Sequence, residues 1–230
     1  MSRLAKILIA AGAVVVLLLA LVVAGWYFFI RSDPEPRAEI VETETTTGGE
    51  LDGTYTIVTG PPETSTFDGY RVTEQLVSAV IEQETTGRTP DVTGTFTISG
   101  DTVDQVNLTA NLLNLQSDNG QRDNTIRTRG LESERFPEAT FVLTEPIELP
   151  AAPEVGETVT ATAIGDLTLH GVTRSVRIAV EGRWDGALIQ VVGNLPIVFA
   201  DYDMETPNIG GFVTVKDEGE MEFQIFFQKA

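Results

Sequence analysis

One histidine, His170, and no cysteine stand in a chain of 230 residues. A nucleophilic triad needs a histidine beside its Ser or Cys, and a multi-histidine or thiolate metal site needs several such ligands. His170 occupies a turn position between Leu169 and Gly171, which suits backbone geometry better than proton transfer. Carboxylates are abundant, 34 Asp+Glu, so an Asp/Glu pair carries no signal by itself. Asp201, Asp203 and Glu205 are spaced as calcium ligands are, but neither the glycine nor the closing glutamate of an EF-hand loop follows them. No phosphate-binding glycine loop is present. The sequence therefore assigns no catalytic residue, no metal and no cofactor, and the chain is not read as an enzyme.

The arginines are the remaining chemistry. Arg122, Arg127, Arg129 and Arg135 fall within residues 117–135, accompanied by Asp118, Asp123, Glu132 and Glu134. Such a cluster is either a solvated ion-pair surface or a lid whose cations meet an anionic head group. Arg174 is different, because the alternation of its neighbours places it on an apolar face. It lies three residues past the His170-Gly171 turn, about 10 Å from that rim at roughly 3.3 Å per residue. A guanidinium there must snorkel to the rim, pair with a carboxylate or meet a ligand. Over that distance snorkelling alone is strained, and Asp123, in the segment expected to cross the mouth, is the first candidate partner. That pair would mark the polar end of a cavity or pin the crossing segment.

These side chains hang on a β-rich framework. Ile164–Trp184 alternates apolar and polar residues around His170-Gly171, as a half-buried hairpin does. A two-residue turn sets Leu169 opposite Val172, Gly165 opposite Val176 and Ala163 opposite Ile178. A second turn at Asp185-Gly186 pairs Val180 with Val191, Val176 with Leu195 and Val172 with Phe199. The expected inward set is then Ala161, Ala163, Gly165, Leu167, Arg174, Val176, Ile178, Val180, Trp184, Val191, Gly193, Leu195 and Phe199, joined by Tyr55, Tyr70 and Phe141 from flanking strands. Several of these are small. Two readings stay open: small residues leave a ligand cavity, or they mark bends that larger side chains fill.

Elsewhere, alternation predicts strands at Thr54–Thr59, Val92–Ile98, Val106–Leu112, Ala139–Leu143 and Glu220–Gln228. Gly69–Glu82 reads as one strand through Tyr70, Val72, Leu76 and Val80, although Glu74–Glu84 also tolerates a helix. Breaks are expected at Pro62 and at Gly210-Gly211. The last strand can pair with the first and close the sheet. The fold class is all-β, an extended antiparallel barrel of about eight strands over residues 51–230.

Ahead of the barrel lie two other segments. Ile7–Ile30 is an uncharged apolar run preceded by Arg3 and Lys6 and followed at its end by Trp26, Tyr27, Phe28 and Phe29. Residues 1–30 are therefore expected to be a transmembrane helix with its basic side in the cytoplasm and the barrel outside. A signal peptide cut after Val22-Val23-Ala24 is the competing reading. Residues 31–50 are rich in Pro, Thr and Glu and read as a flexible, disordered acidic linker. The net charge of −19 argues against a nucleic-acid partner, which needs a basic footprint. The oligomeric state is not specified, and a homodimer stays open.

Two blocks of sequence resemble the YceI-like family of bacterial envelope proteins. The first joins Arg122-Asp123 to Leu131-Glu132 and to Arg135-Phe136-Pro137-Glu138-Ala139-Thr140-Phe141. The second is Gly165-Asp166-Leu167-Thr168-Leu169-His170-Gly171-Val172-Thr173-Arg174. The resemblance implies a lipocalin-like barrel whose apolar interior holds a polyisoprenoid lipid, such as an isoprenoid quinone or a polyprenyl carrier. It also implies a role in transport, storage or stress protection. The alternative is an envelope stress or adhesion module with a filled barrel.

Overall fold

The computed structural model describes residues 3–29, 32–46, 49–61, 64–76, 81–149, 151–209 and 213–230. The expectations placed on Pro62, Val80 and Gly210-Gly211 lie outside the described residues. The chain divides into two compact units, Met1–Asp33 and Pro34–Ala230. In the first, helix α1 spans Arg3–Phe29. The side chains of Arg3, Lys6 and Trp26–Phe29 are outside those described, and among the described residues no helix is long and apolar enough to cross a membrane.

The second unit is built from strands β1 (Gly53–Val58), β2 (Phe67–Leu76), β3 (Ile81–Thr89), β4 (Val92–Ser99), β5 (Thr102–Asn111), β6 (Gln116–Ser117), β7 (Glu138–Glu145), β8 (Ile147–Glu148), β9 (Thr158–Leu169), β10 (Val172–Trp184), β11 (Leu188–Val198), β12 (Asn208–Ile209) and β13 (Val213–Lys229). All pairings are antiparallel. Eight strands form a ring in the order β1-β4-β5-β7-β9-β10-β11-β13, and β13 returns to β1 through Tyr55↔Lys229 to Val58↔Phe226. The expected closure of last strand on first is what the structure shows. β13 is long enough to use one edge twice. Its C-terminal end pairs β1, and from Gln224 towards Val213 it pairs β2, with β3 and β6 following. Gly69–Glu82 is therefore not one strand. β2 and β3 form a hairpin with Leu76 opposite Ile81. β3 carries few apolar residues, and this hid it from a reading by alternation.

The β9–β10 register matches the expectation, with Val172↔Leu169, Val176↔Gly165 and Ile178↔Ala163. Both turn residues have positive φ, 52° at His170 and 76° at Gly171, the geometry that matches the twist of a tight hairpin. The β10–β11 register departs by two residues: Val180 faces Gly193, and Gly182 faces Val191. The Asp185 carboxylate accepts from the amides of Ala187 and Leu188 at 2.9 and 2.8 Å, while the Asp185 amide donates to the Leu188 carbonyl at 3.0 Å. This widens the turn from two residues to four. A shift of two preserves the inward face, so the error does not exchange inside for outside. Pairing of β10 with β11 stops at Ala179↔Asn194, so the expected pairs Val176–Leu195 and Val172–Phe199 do not form.

The segment expected to be a free linker is ordered over much of its length. Glu35–Thr46 lies as a strap on the outer wall, held by polar side chains that point out of the strands. Glu222 accepts from the Ala38 amide at 2.7 Å, and Gln190 bonds the Val41 amide and the Glu39 carbonyl, each at 2.9 Å. Arg71 donates to the Glu35 carbonyl at 2.9 Å, and Asp185 takes the Thr43 hydroxyl and the Thr46 amide. Beneath it Arg71 donates to Glu222 at 2.8 Å and to Glu84 at 2.6 Å, with Arg71 and Glu222 both buried. Arg88 bonds Glu222 and the Pro36 carbonyl. Backbone groups of the strap are thus satisfied by side chains of a wall whose buried charges also pair with one another.

Candidate functional site: a cavity in the barrel

The barrel interior holds a cavity of about 180 Å³, lined from every strand of the ring except β1. Its rim includes Leu51, Ile147, Leu149, Pro153 and Val159, all only partly buried. Towards the other end of the strands it passes Val92, Ala110, Ala139 and Leu167. Below these, Leu112, Leu115, Leu169, Tyr202 and Met204 are buried and plug the base. An engineered apolar void of about 150 Å³ stays dry and takes up benzene, so a void of this size and lining is a site for an apolar group.

Of the residues expected inside, Phe141 on β7, Ala161, Ala163 and Leu167 on β9, Ile178, Val180 and Trp184 on β10, and Val191 on β11 line this cavity. Gly165 and Gly193 do not, and the reason is steric. A Cβ on Gly165 would come within 2.5 Å of the Phe141 ring, and one on Gly193 within 2.6 Å of the Phe223 ring. The glycines leave no open space. They seat two aromatic rings, which then form cavity wall themselves. The alanines leave room and the glycines accept a neighbour, so the two open readings of the small residues each hold in part.

The remaining expected residues lie elsewhere. Tyr55 is buried in the wall, stacked on Phe96 at 5.1 Å with its hydroxyl donating to the Leu51 carbonyl at 2.7 Å. Tyr70 packs over Gly87 below the cavity, and burial pushes its pKa up. Val176, Leu195 and Phe199 belong to the packed core. Arg174 is a correction. Its Cα partner is Leu167, as expected for the inward face, but β10 has lost β11 at that height. The side chain leaves through the gap, half exposed, and donates to the Asp201 carbonyl at 2.8 Å, with the Asp201 carboxylate at 3.8 Å. It neither enters the cavity nor meets Asp123, which instead accepts from the Ser117 amide and hydroxyl.

A buried ion pair does pin the crossing segment, through different residues. That segment is a short helix α2 (Gly120–Thr125) continued by a π turn at Ile126–Gly130. Arg122 reaches Glu74 of β2 through two bonds, 2.7 and 3.2 Å, and Asp118 at 2.5 Å. Its cation is thereby spent on structure and does not face the cavity. At the same end, His170 Nδ1 sits 3.0 Å from the Tyr202 carbonyl and Nε2 2.9 Å from Glu132, with the Phe136 ring 4.3 Å away. Both ring nitrogens face acceptors, so His170 offers no free nitrogen to a substrate. Glu132 and Phe136 from one sequence block thus lock onto His170 and Gly171 from the other. The cleft beside them mixes Arg129 and Arg135 with Glu132, Asp203 and Glu205 and so favours neither sign of ligand. Among the described residues no group of three or more acidic or histidine side chains is arranged to hold a metal ion.

Among the lining residues that sequence reasoning left out of the site, such as Phe96, Phe223 and Ile225, one is an acid. Asp68 of β2 lies opposite Phe223 of β13 and Thr89 of β3, and cross-strand partners share a face. Asp68 therefore points inward and lines the cavity. Burial drives its pKa up from 3.8 to about 7, while a bond from the Gly69 amide pulls the other way. The parity of Tyr70, Val72 and Leu76, already visible in the sequence, puts Asp68 on the same face and could have found it.

The match to known proteins follows the same outline. The model of the YceI-like domain matches residues 62–227. UPF0312 protein VPA0850 of Vibrio parahaemolyticus is 27% identical over 119 residues, covering 49% of this chain and 59% of that protein. The chain thus spans less than two thirds of that relative. Among solved structures, a polyisoprenoid binding domain from Saccharophagus degradans, implicated in plant cell wall breakdown, superposes with a TM-score of 0.59. It is 19% identical and covers 76% of this chain and 98% of its own. BcnA of Burkholderia cenocepacia gives a TM-score of 0.50 at 18% identity, covering 68% of this chain and 95% of its own. At such identities the structural matches speak for the fold, and the domain match over most of the barrel assigns the chain to the YceI-like family.

Proposed function

We propose that this protein binds lipid and carries out no reaction on it, holding the apolar chain of a polyisoprenoid in the barrel for transport, storage or protection. The observation that carries this reading is the cavity itself, a void walled almost wholly by apolar side chains where a sandwich of the same strands would be filled. Family membership and the polyisoprenoid-binding neighbour support it. An isoprenoid quinone and a polyprenyl carrier are both within the class. The apolar run Ile7–Ile30 supports a further element of the proposal, that the chain is anchored in the cell membrane by one span with the barrel outside.

The test is mass spectrometry of an organic extract from the full chain purified out of membranes. A prenyl lipid in near-stoichiometric amount, with the intact chain in the membrane fraction, is the expected result. A lipid-free protein that takes up no prenol when offered one points to a filled barrel acting through its surface.

A further inference from the structure

Asp68 has no structural occupation that explains it. Its bond to the Gly69 amide is local to its own strand. The cations nearest in sequence are engaged on the outer wall, Arg71 with Glu222 and Glu84, and Arg88 with Glu222. The other ionisable side chain on the lining, Arg183, stands at the rim end of β10 and donates to the Gly156 carbonyl. Towards the interior, Asp68 meets Phe223, Thr89 and the void. Asp68 is partly buried and lines the cavity. Phe223 lies five residues from Gln228, which pairs with Leu188 at the rim. Asp68 therefore sits about 17 Å down the wall at roughly 3.3 Å per residue. An uncompensated carboxyl at that depth weakens the fold and presents one polar group to whatever fills the space.

Resting on the lipid-binding reading above, we infer that Asp68 is a specificity-determining residue: it hydrogen-bonds a neutral oxygen of the bound lipid, a hydroxyl or carbonyl, and excludes an anionic head group from the cavity. The protonated carboxyl donates to a carbonyl or hydroxyl oxygen, and the ionised form accepts from a hydroxyl. A phosphate beside Asp68 would bring a second negative charge to a depth where the wall supplies no cation, since the one on the lining, Arg183, stands at the rim. The cavity would then prefer prenols, phenols or quinones to polyprenyl phosphates.

The experiment uses the delipidated full chain and three probes of one chain length: farnesol, farnesyl phosphate and the hydrocarbon farnesane. Trp184, on the lining, reports binding by fluorescence, and calorimetry checks the affinity. The native protein is expected to bind farnesol at least tenfold more tightly than farnesyl phosphate. Asp68→Asn, which keeps a neutral polar group, should retain farnesol and reduce the discrimination severalfold. Asp68→Leu should bind farnesol no better than farnesane. Melting curves confirm that both variants fold. If all three probes bind native protein and Asp68→Asn alike, the inference about Asp68 fails while the lipid reading stands. If none binds any form, both fail.

Discussion

Replacing Asp68 by Asn should make stability less dependent on pH, by an amount the site itself sets. The carboxyl titrates near 7 in the folded chain against 3.8 ordinarily, because burial opposes ionisation and the Gly69 amide compensates only in part. Three units at about 1.4 kcal/mol each come to roughly 4 kcal/mol. The folded pKa is the higher one, so the folded chain keeps a proton that the unfolded chain has released. The contribution of this proton is present in full below about pH 4, is lost as pH rises towards 7, and is absent above. Asn cannot ionise. The stability of Asp68→Asn relative to native should therefore grow from near zero at pH 4 to on the order of 4 kcal/mol at pH 8. Urea unfolding of delipidated protein, followed by tryptophan fluorescence at unit pH steps, measures the difference. The many other carboxylates appear in both proteins and cancel. Two profiles that run parallel across that range would refute the placement of this carboxyl in an apolar interior.

Two other changes probe the wall from each side. Ala163→Leu adds bulk to a buried lining position and should cost about 1–3 kcal/mol by overpacking. It should also lower lipid recovery with the strand signal in circular dichroism unchanged, and undiminished recovery would show that Ala163 does not bound the ligand. Glu222→Ala leaves Arg71, 4% exposed, without its inner partner and takes the Ala38 amide's acceptor away. A loss of about 3–5 kcal/mol is expected, with Glu35–Thr46 becoming cleavable in limited proteolysis. Native-like protection would mean that the strap is held by other contacts.

The barrel was legible wherever one face of a strand is apolar and the turn chemistry is explicit. His170-Gly171 fixed the β9–β10 register to the residue. Asp-Gly at 185–186 announced a hairpin but not its length, since the side-chain cap by Asp185 competes with the two-residue turn. The strap was hidden because its own composition is that of a linker. Its attachment runs through backbone atoms to Glu222, Gln190 and Arg71, whose outward parity looks solvent-facing in a sequence. Arg174 was placed on the correct face, yet the separation of β10 from β11 below Ala179 is a three-dimensional event that no local pattern records. The small inward residues signalled space without saying which of it a neighbouring ring would fill. Asp68 was overlooked because reading a strand by its apolar members passes over the polar one among them.

The double use of β13 has a consequence for how the chain reaches this state. The strand that closes the ring is the last of the barrel in chain order, and it must find β1, β2 and β11 as well as the strap, whose Ala38 lies 184 residues away from Glu222. Until it arrives, β1, β2 and β11 each present an unpaired edge, and such edges are templates for pairing with other chains. Contacts of such long range are slow to form, so closure is a late step of folding. A chain cut short before Val213 would be left not with a smaller barrel but with an open, adhesive sheet.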